Sequence, residues 1–485
     1  MIALRLSEIA RITGGKVCEA IGTPGSKAAG SDGASSDPLV DGPVVTDSRE
    51  ASAGSLYVAR IGESMDGHQF APAARSQGAV AALTSRPVAD LPSVVVPDVQ
   101  EAFVSLAHAL VERNESAVVI GITGSSGKTS TKDLLWSVLQ RHGETVANVG
   151  SLNSEVGVPL TVCRITPTTA YLVLEMGARG IGHIEYLTRL ASPRIGVVLN
   201  VGTAHLGEFG SREAIGRAKA ELVQALPATG FAVLNADDPI VWAMASQTRA
   251  QVIGVGQSAQ AAVRALDILL DAQGRASFTL VTDQGRAPVV LAFHGEHHVG
   301  NALAVAAVAM ALGLPLPEVA TALGDARPLS RWRMEVHERA DGVTIVNDAY
   351  NANPDSMRAA LKALTAMGQG QGRRTWAVLG EMLELGPDSA AEHEALGRLA
   401  VSLNVSKVIA VGQGARPIDS GARDEGSIRS AGSQSTWVPD TEAAFGLLGQ
   451  NLAPGDVVLV KSSRDAGLRW LGDRLLDGTV TEVRS

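Results

Sequence analysis

Lys128 and Thr129 close a glycine-rich run, Gly121-Ile122-Thr123-Gly124-Ser125-Ser126-Gly127-Lys128-Thr129-Ser130. Lysine followed by a hydroxyl residue, behind spaced glycines, is a pattern suited to polyphosphate. Glycines let backbone N–H groups approach phosphate oxygens, the ammonium reaches the outer phosphates, and the hydroxyl can ligate Mg²⁺. Gly124, Ser125, Ser126, Gly127, Lys128, Thr129 and Ser130 are therefore read as a cradle for ATP or GTP. The run departs from the usual G-x-x-x-x-G-K-[ST] form, because Ile122 stands where that pattern has glycine. The competing reading is an ordinary Gly-rich turn with a surface lysine.

Other polar residues follow apolar runs. Glu175 ends Tyr171-Leu172-Val173-Leu174, a place from which a carboxylate can hold Mg²⁺; alone, it could equally be a capping or solvated glutamate. His205 follows Gly196–Val201, where a lone histidine is more often structural. Lys219 lies on an apparent helix, and from spacing alone it reads as a solvated lysine. A protonated amine has no lone pair for a metal, so a metal role for Lys219 would require its carbamate. Asn347-Asp348-Ala349-Tyr350-Asn351-Ala352-Asn353-Pro354, Gly380-Glu381-Met382 and Lys461-Ser462-Ser463-Arg464 each follow an apolar stretch. Three polar strand ends in one sheet suggest a single binding edge.

The elements that must hold these groups are legible in outline. Ala117–Ile120 before the loop reads as a buried strand, and Thr131–Leu139 after it has helical apolar spacing. Further strands are expected at 170–175, 195–201 and 231–234, with helices at 130–141, 212–226 and 301–312. Strands alternating with helices imply a mostly parallel sheet covered on both faces, whose sites lie at the carboxyl ends of strands. The fold class is α/β in three domains. Residues 1–98 form a small N-terminal α/β domain with strands near 56–59, 79–83 and 93–96. Residues 99–329 form a central P-loop-type ATPase domain. Residues 330–485 form a Rossmann-like C-terminal α/β domain with strands near 342–346, 375–379, 407–411 and 456–460. Residues 22–43, rich in Gly, Ala, Ser, Asp and Pro, are expected to be a flexible insertion.

Composition narrows the function classes. The 485 residues carry 41 basic and 50 acidic side chains, a net charge of −9 that argues against nucleic acid or an anionic membrane as the main partner. Cys18 and Cys163 are isolated, in no zinc-type spacing, and read as reduced thiols. The charged N-terminus does not resemble a signal peptide, and the uncharged run Val299–Pro317 reads as a buried helix rather than a membrane span. A soluble cytoplasmic protein is expected.

Together these residues resemble the Mur ligase family of bacterial cell-wall synthesis, across nearly the whole chain. The T-G-x-x-G-K-[ST] loop is the form shared by Mur ligases and folylpolyglutamate synthases. Within the family the pattern is closest to the branch that adds D-alanyl-D-alanine. It rests on Gly150–Thr161, Leu174-Glu175-Met176-Gly177-Ala178, Ala204–Ser211 and Asn347–Pro354. The resemblance implies that ATP activates the terminal carboxylate of UDP-N-acetylmuramoyl-tripeptide and that D-Ala-D-Ala attacks the acyl phosphate. It implies Lys128, Glu175, His205 and Lys219 as catalytic residues. Thr129, Glu175, His205 and carbamylated Lys219 become ligands of Mg²⁺. Asn301, Arg331 and Asp348 become ATP contacts. Ser48 and Arg49, with Asp66, Gly67 and His68, would hold the UDP-sugar; Asn153 would also face substrate, and Tyr350 and Asn351 the dipeptide. A monomer whose domains close around substrates is expected. His298 departs from the family, where many relatives have asparagine. A sister ligase adding the third residue is less well matched, since no Asp-Asn-Pro-Arg motif is present. A folylpolyglutamate synthase would begin nearer its loop. A regulatory ATPase without ligase chemistry is the reading from a different class.

Overall fold

The structure is a computed structural model of the chain and describes residues 1–21, 37–62, 64–204, 206–369, 372–429 and 434–477. His205 and residues 22–36 of the expected insertion lie outside the described residues. The remainder of that insertion is ordered into the fold, because Leu39–Val40 pairs antiparallel with Leu4–Arg5. The chain groups into two compact units: residues 1–121, 142–177 and 183–195, and residues 122–141, 178–182 and 196–485.

The first unit holds a five-stranded sheet in the order Lys16–Cys18, Ser93–Val95, Ala81–Thr84, Leu56–Val58, Val44–Val45. Its first pair is antiparallel and the others are parallel. Short runs of small apolar residues suffice here, since Tyr57, Ala59, Ala71, Ala74 and Ala82 pack into one buried cluster. Helix Val99–Arg113 begins where Asp98 accepts from the N–H groups of Gln100 and Glu101 at 2.8 and 3.0 Å, which satisfies donors that the first turn leaves open. Thr169–Glu175 runs parallel to Glu144–Ala147 and delivers Glu175 at its carboxyl end.

The second unit starts inside strand Val118–Thr123. Beyond the loop comes helix Lys128–Leu139. Neighbouring strands follow in the order Ile195–Val198, Phe231–Asn235, Gln251–Gly256, Val263–Leu270, Arg275–Thr282, Gly285–His294. Pairing is parallel from Phe231–Asn235 through Val263–Leu270 and antiparallel beyond it. The expected mostly parallel sheet thus carries an antiparallel edge that the apolar runs did not announce. Those edge strands alternate buried and part-exposed residues, as in Arg275–Thr282, so they show no continuous apolar stretch. Helix His298–Ala311 buries nearly all of its length, which accounts for the uncharged run without a membrane.

Residues beyond 330 build a six-stranded sheet in the order Glu335–Glu338, Thr344–Asn347, Val457–Lys461, Thr375–Leu379, Lys407–Val411, Gln434–Val438. All pairs but the first are parallel. Alternate residues enter opposite cores: Val346, Ala377 and Leu459 on one face, Ile345, Val378 and Val458 on the other. Double burial explains why these strands read as unbroken apolar runs. The outer strands Glu335–Glu338 and Gln434–Val438, more exposed and more polar, were not expected from the sequence.

Candidate active site

In the second unit the loop turns on Gly127, which caps helix Lys128–Leu139 at φ +81°. A side chain there would be strained by that φ, and its Cβ would lie 2.7 Å from Asn301 Oδ1. The Lys128 ammonium folds back to donate to the Gly124 carbonyl at 2.8 Å. Asn200, two residues past strand Ile195–Val198, grips the loop from the side: its Oδ1 accepts from the N–H groups of Ser125 and Ser126 at 3.0 and 2.9 Å.

Lys219 lies on helix Arg212–Gln224, whose N-terminus Ser211 caps by accepting from the Ala214 N–H at 3.1 Å. The expectation of a solvated lysine fails, because Lys219 is only 5% exposed. Its helix buries Ala218, Lys219, Ala220 and Glu221 in succession, so neither face at this level meets solvent. Burial, and then the positive charge of Lys128, lower the Lys219 pKa to about 7.

Asn301 is buried on helix His298–Ala311, with its Nδ2 3.3 Å from His298 Nδ1. His298 is buried too, its ring against Phe293 and His297, and its Nε2 has no hydrogen-bond partner. Burial, then the neighbouring His297 and His294, hold His298 neutral, well below the usual histidine range. Asn301 and Asn200 line a cavity of about 130 Å³ together with Leu199, Asn235, Asp237 and His297.

The polar strand ends of the six-stranded sheet do converge: Thr344–Asn347, Val457–Lys461 and Thr375–Leu379 are adjacent. Lys461 Nζ pairs with Asp348 Oδ2 at 2.6 Å and donates to the Asn351 carbonyl at 3.1 Å. Asp348 Oδ1 accepts from the Met334 N–H at 3.0 Å, so this carboxylate holds the turn together. Arg331 is mostly exposed and pairs with Asp473 at 3.0 Å. The Tyr350 ring stacks near Trp332, with Arg333 and Arg464 over it at 4.3 and 5.8 Å. The same turn reaches the phosphate loop: Asn353 Nδ2 lies 3.4 Å from the Ser125 carbonyl. Asp355 Oδ2 accepts from the Thr203 N–H at 2.9 Å.

In the first unit, Glu175 is 1% exposed, neither capping a helix nor solvated. Its carboxylate accepts from Asn153 Nδ2 at 2.6 Å, and its N–H donates to Asn148 Oδ1 at 2.6 Å. Asp66 binds His68 Nδ1 at 2.6 Å and also Arg86, and His68 Nε2 in turn accepts from the Ser85 N–H at 2.9 Å. Hydrogen bonds from Arg86 and then His68 hold the Asp66 carboxyl well below the usual range. Gly67 is required there, since a Cβ would lie 2.5 Å from the Arg60 carbonyl oxygen. Ser48 is buried in the turn Ser48–Glu50, whereas Arg49 is exposed and hydrogen-bonded through Nε to Asp47 at 2.9 Å. Among the described residues no three His, Cys, Asp or Glu side chains gather as a metal site. Of the residues read as Mg²⁺ ligands, Thr129 and Lys219 lie in the second unit and Glu175 in the first; a hydroxyl and a carboxylate are hard oxygen donors of the kind Mg²⁺ takes.

Residues 43–117 match the model described as Mur ligase family, catalytic domain. Residues 122–309 match the Mur ligase middle domain, and 332–464 the Mur ligase glutamate ligase domain. The chain belongs to the Mur ligase family. Among curated Mur ligases it is 47% identical over 522 aligned positions to the UDP-N-acetylmuramoyl-tripeptide–D-alanyl-D-alanine ligase of Mycobacterium bovis, covering 100% of both chains. It is 35% identical to the ligase of the same name from Escherichia coli, over 88% of this chain and 91% of that one. The solved MurF of Acinetobacter baumannii superposes with a TM-score of 0.85 at 31% identity, over 98% of this chain and 99% of the other. MurF ligase of Thermotoga maritima, solved in complex with ADP, gives 0.77 at 28% identity over 90% and 97%.

Four residues that fix these candidate side chains escaped the sequence reading: Asn148 and Arg86 in the first unit, and Asn200 and Lys461 (as the Asp348 partner) in the second. Asn200 carried one signal that could have found it, an amide within the otherwise apolar run Gly196–Val201. The partners of Asn148, Lys461 and Arg86 are 27, 113 and 20 residues away, beyond any local pattern.

Proposed function

We propose that this chain is an ATP-dependent amide ligase that joins D-Ala-D-Ala to UDP-N-acetylmuramoyl-tripeptide in the synthesis of peptidoglycan precursors. The observation that carries the reading is likeness over the full length to ligases of that name, at 47% identity. The geometry supplies the chemistry. A free carboxylate is a poor acyl donor. Its oxygen attacks the γ-phosphorus of ATP, ADP leaves, and an acyl phosphate forms. The amine of D-Ala-D-Ala then attacks the acyl carbon; phosphate leaves with the bonding pair and the amine loses a proton. Lys128 offsets charge on the transferring phosphoryl group, and the loop N–H groups and the start of helix Lys128–Leu139 orient the polyphosphate.

Lys219 serves as a carbamate in this reading. A buried amine with pKa about 7 is largely neutral near pH 7.5, and a neutral amine adds CO₂ to give an anionic carbamate and a proton. Thr129, Glu175, carbamylated Lys219 and His205 would hold Mg²⁺, which when bound neutralises phosphate charge. Asn301 faces the adenine side, with Arg331 and Asp348 approaching ATP from the third domain. Ser48, Arg49, Asp66, Gly67, His68 and Asn153 take the nucleotide-sugar, and Tyr350 and Asn351 the dipeptide. In this reading residues 1–98, 99–329 and 330–485 act as separate substrate, nucleotide and closing domains of a cytoplasmic monomer. No described helix is long and apolar enough to cross a membrane.

The test is phosphate release from ATP and Mg²⁺ with both substrates present and each omitted in turn, with product mass recorded. Release that needs both, and a product heavier by one dipeptide residue (the dipeptide less water), is the expected result. Release indifferent to both would refute the ligase and favour a regulatory ATPase. Release with another amine would move the chain to a sister ligase.

A further inference from the structure

The phosphate loop lacks the glycine that the common pattern places at position 122, and something else must hold its shape. Asn200 does so from a neighbouring strand end. Its Oδ1 accepts from the Ser125 and Ser126 N–H groups at 3.0 and 2.9 Å and lies 3.4 Å from Ser126 Oγ. Its Nδ2 donates to the Ser126 carbonyl at 3.2 Å, and its own carbonyl accepts from the Ser125 N–H at 3.1 Å. One amide thus satisfies donors and an acceptor on the same two loop residues, which only a side chain carrying both functions can do. Two successive N–H groups converging on one oxygen form the kind of nest that elsewhere receives an anion. Here a neutral oxygen from the protein fills it.

We propose that Asn200 is the positioning residue of the phosphate loop. By occupying the Ser125 and Ser126 N–H groups it orients the turn at Gly127, so that the polyphosphate is received by the loop's other half, Gly127 to Thr129. This deepens the nucleotide reading and rests on it. A carboxylate at 200 could still accept both N–H bonds, but it would lose the Nδ2 bond and place negative charge against the phosphates.

The experiment measures ADP and adenosine binding to the full chain by calorimetry and ligand-observed NMR, for wild type, Asn200→Ala and the isosteric Asn200→Asp. Losing the loop-ordering bonds in Asn200→Ala, or losing the Nδ2 bond and adding negative charge against the phosphates in Asn200→Asp, should weaken ADP about 10- to 100-fold in each variant while leaving adenosine within about twofold. KM for ATP should rise more than kcat falls. If Asn200→Ala does not fold, the same-shaped Asn200→Asp carries the test. ADP affinity within about twofold of wild type, or equal losses for ADP and adenosine, would overturn the proposal. Failure of the wild type to bind ADP would instead overturn the nucleotide reading beneath it.

Discussion

Lys219 makes the sharpest prediction. An ordinary lysine with pKa 10.5 is only about 0.1% neutral at pH 7.5, whereas one depressed to about 7 is roughly three-quarters neutral, a gain of several hundredfold in the form that reacts with CO₂. Equilibrating the protein with ¹³C-bicarbonate should therefore give a carbamate carbon signal by NMR, absent from Lys219→Ala. The same shift has a stability consequence. With the folded pKa below the unfolded one, the unfolded chain binds more protons between about pH 7 and 10.5, so stability rises with pH across that window. The penalty is complete below pH 7 and amounts to about 5 kcal/mol for a shift of about 3.5 units. Lys219→Met, which keeps the volume and removes the charge, should be more stable than the CO₂-free wild type at pH 6.5, with the gap closing toward pH 10. Urea unfolding under nitrogen reads it. A wild type whose stability relative to Lys219→Met is flat with pH, together with no carbamate signal, would refute the argument that burial beside Lys128 neutralises this amine.

Other outcomes follow from single contacts. Lys128→Met should lower kcat for phosphate release on the order of 10²–10³-fold with the fold intact by circular dichroism, since the proposed mechanism uses this cation to offset charge on the transferring phosphoryl group. Gly127→Ala should weaken ADP binding at least about tenfold in calorimetry, because φ +81° and the 2.7 Å approach of Asn301 both oppose a Cβ there. Lys461→Met leaves Asp348 largely buried and uncompensated, and should cost about 3–5 kcal/mol in denaturant unfolding; adding Asp348→Asn should recover a substantial part of that loss.

Much of the phosphate loop and of the strands around it was legible because the signals are local. The glycine spacing before Lys128 is a backbone requirement that can be read residue by residue, and Gly127 does sit in the left-handed region. Strands covered on both faces, such as Val457–Lys461 and Thr375–Leu379, read as apolar runs because nothing on them meets water. The edge strands Gly285–His294 and Gln434–Val438 did not, since half their residues face outward and polarity there is unconstrained.

Sequence by itself determined the alternation of strand and helix, the phosphate loop and the family resemblance, since each depends on periodicity or short spacing. Only the tertiary structure decided the chemical state of the polar groups. Lys219 has the spacing of a solvated lysine, yet its pKa is lowered to about 7, because its environment is set by elements packed around its helix and by Lys128, 91 positions away. Asn200 looks like a strand end and clamps a loop 74 residues before it. Charge, protonation and hydrogen-bond partner are properties of a neighbourhood, and the neighbourhood exists only once the chain has folded.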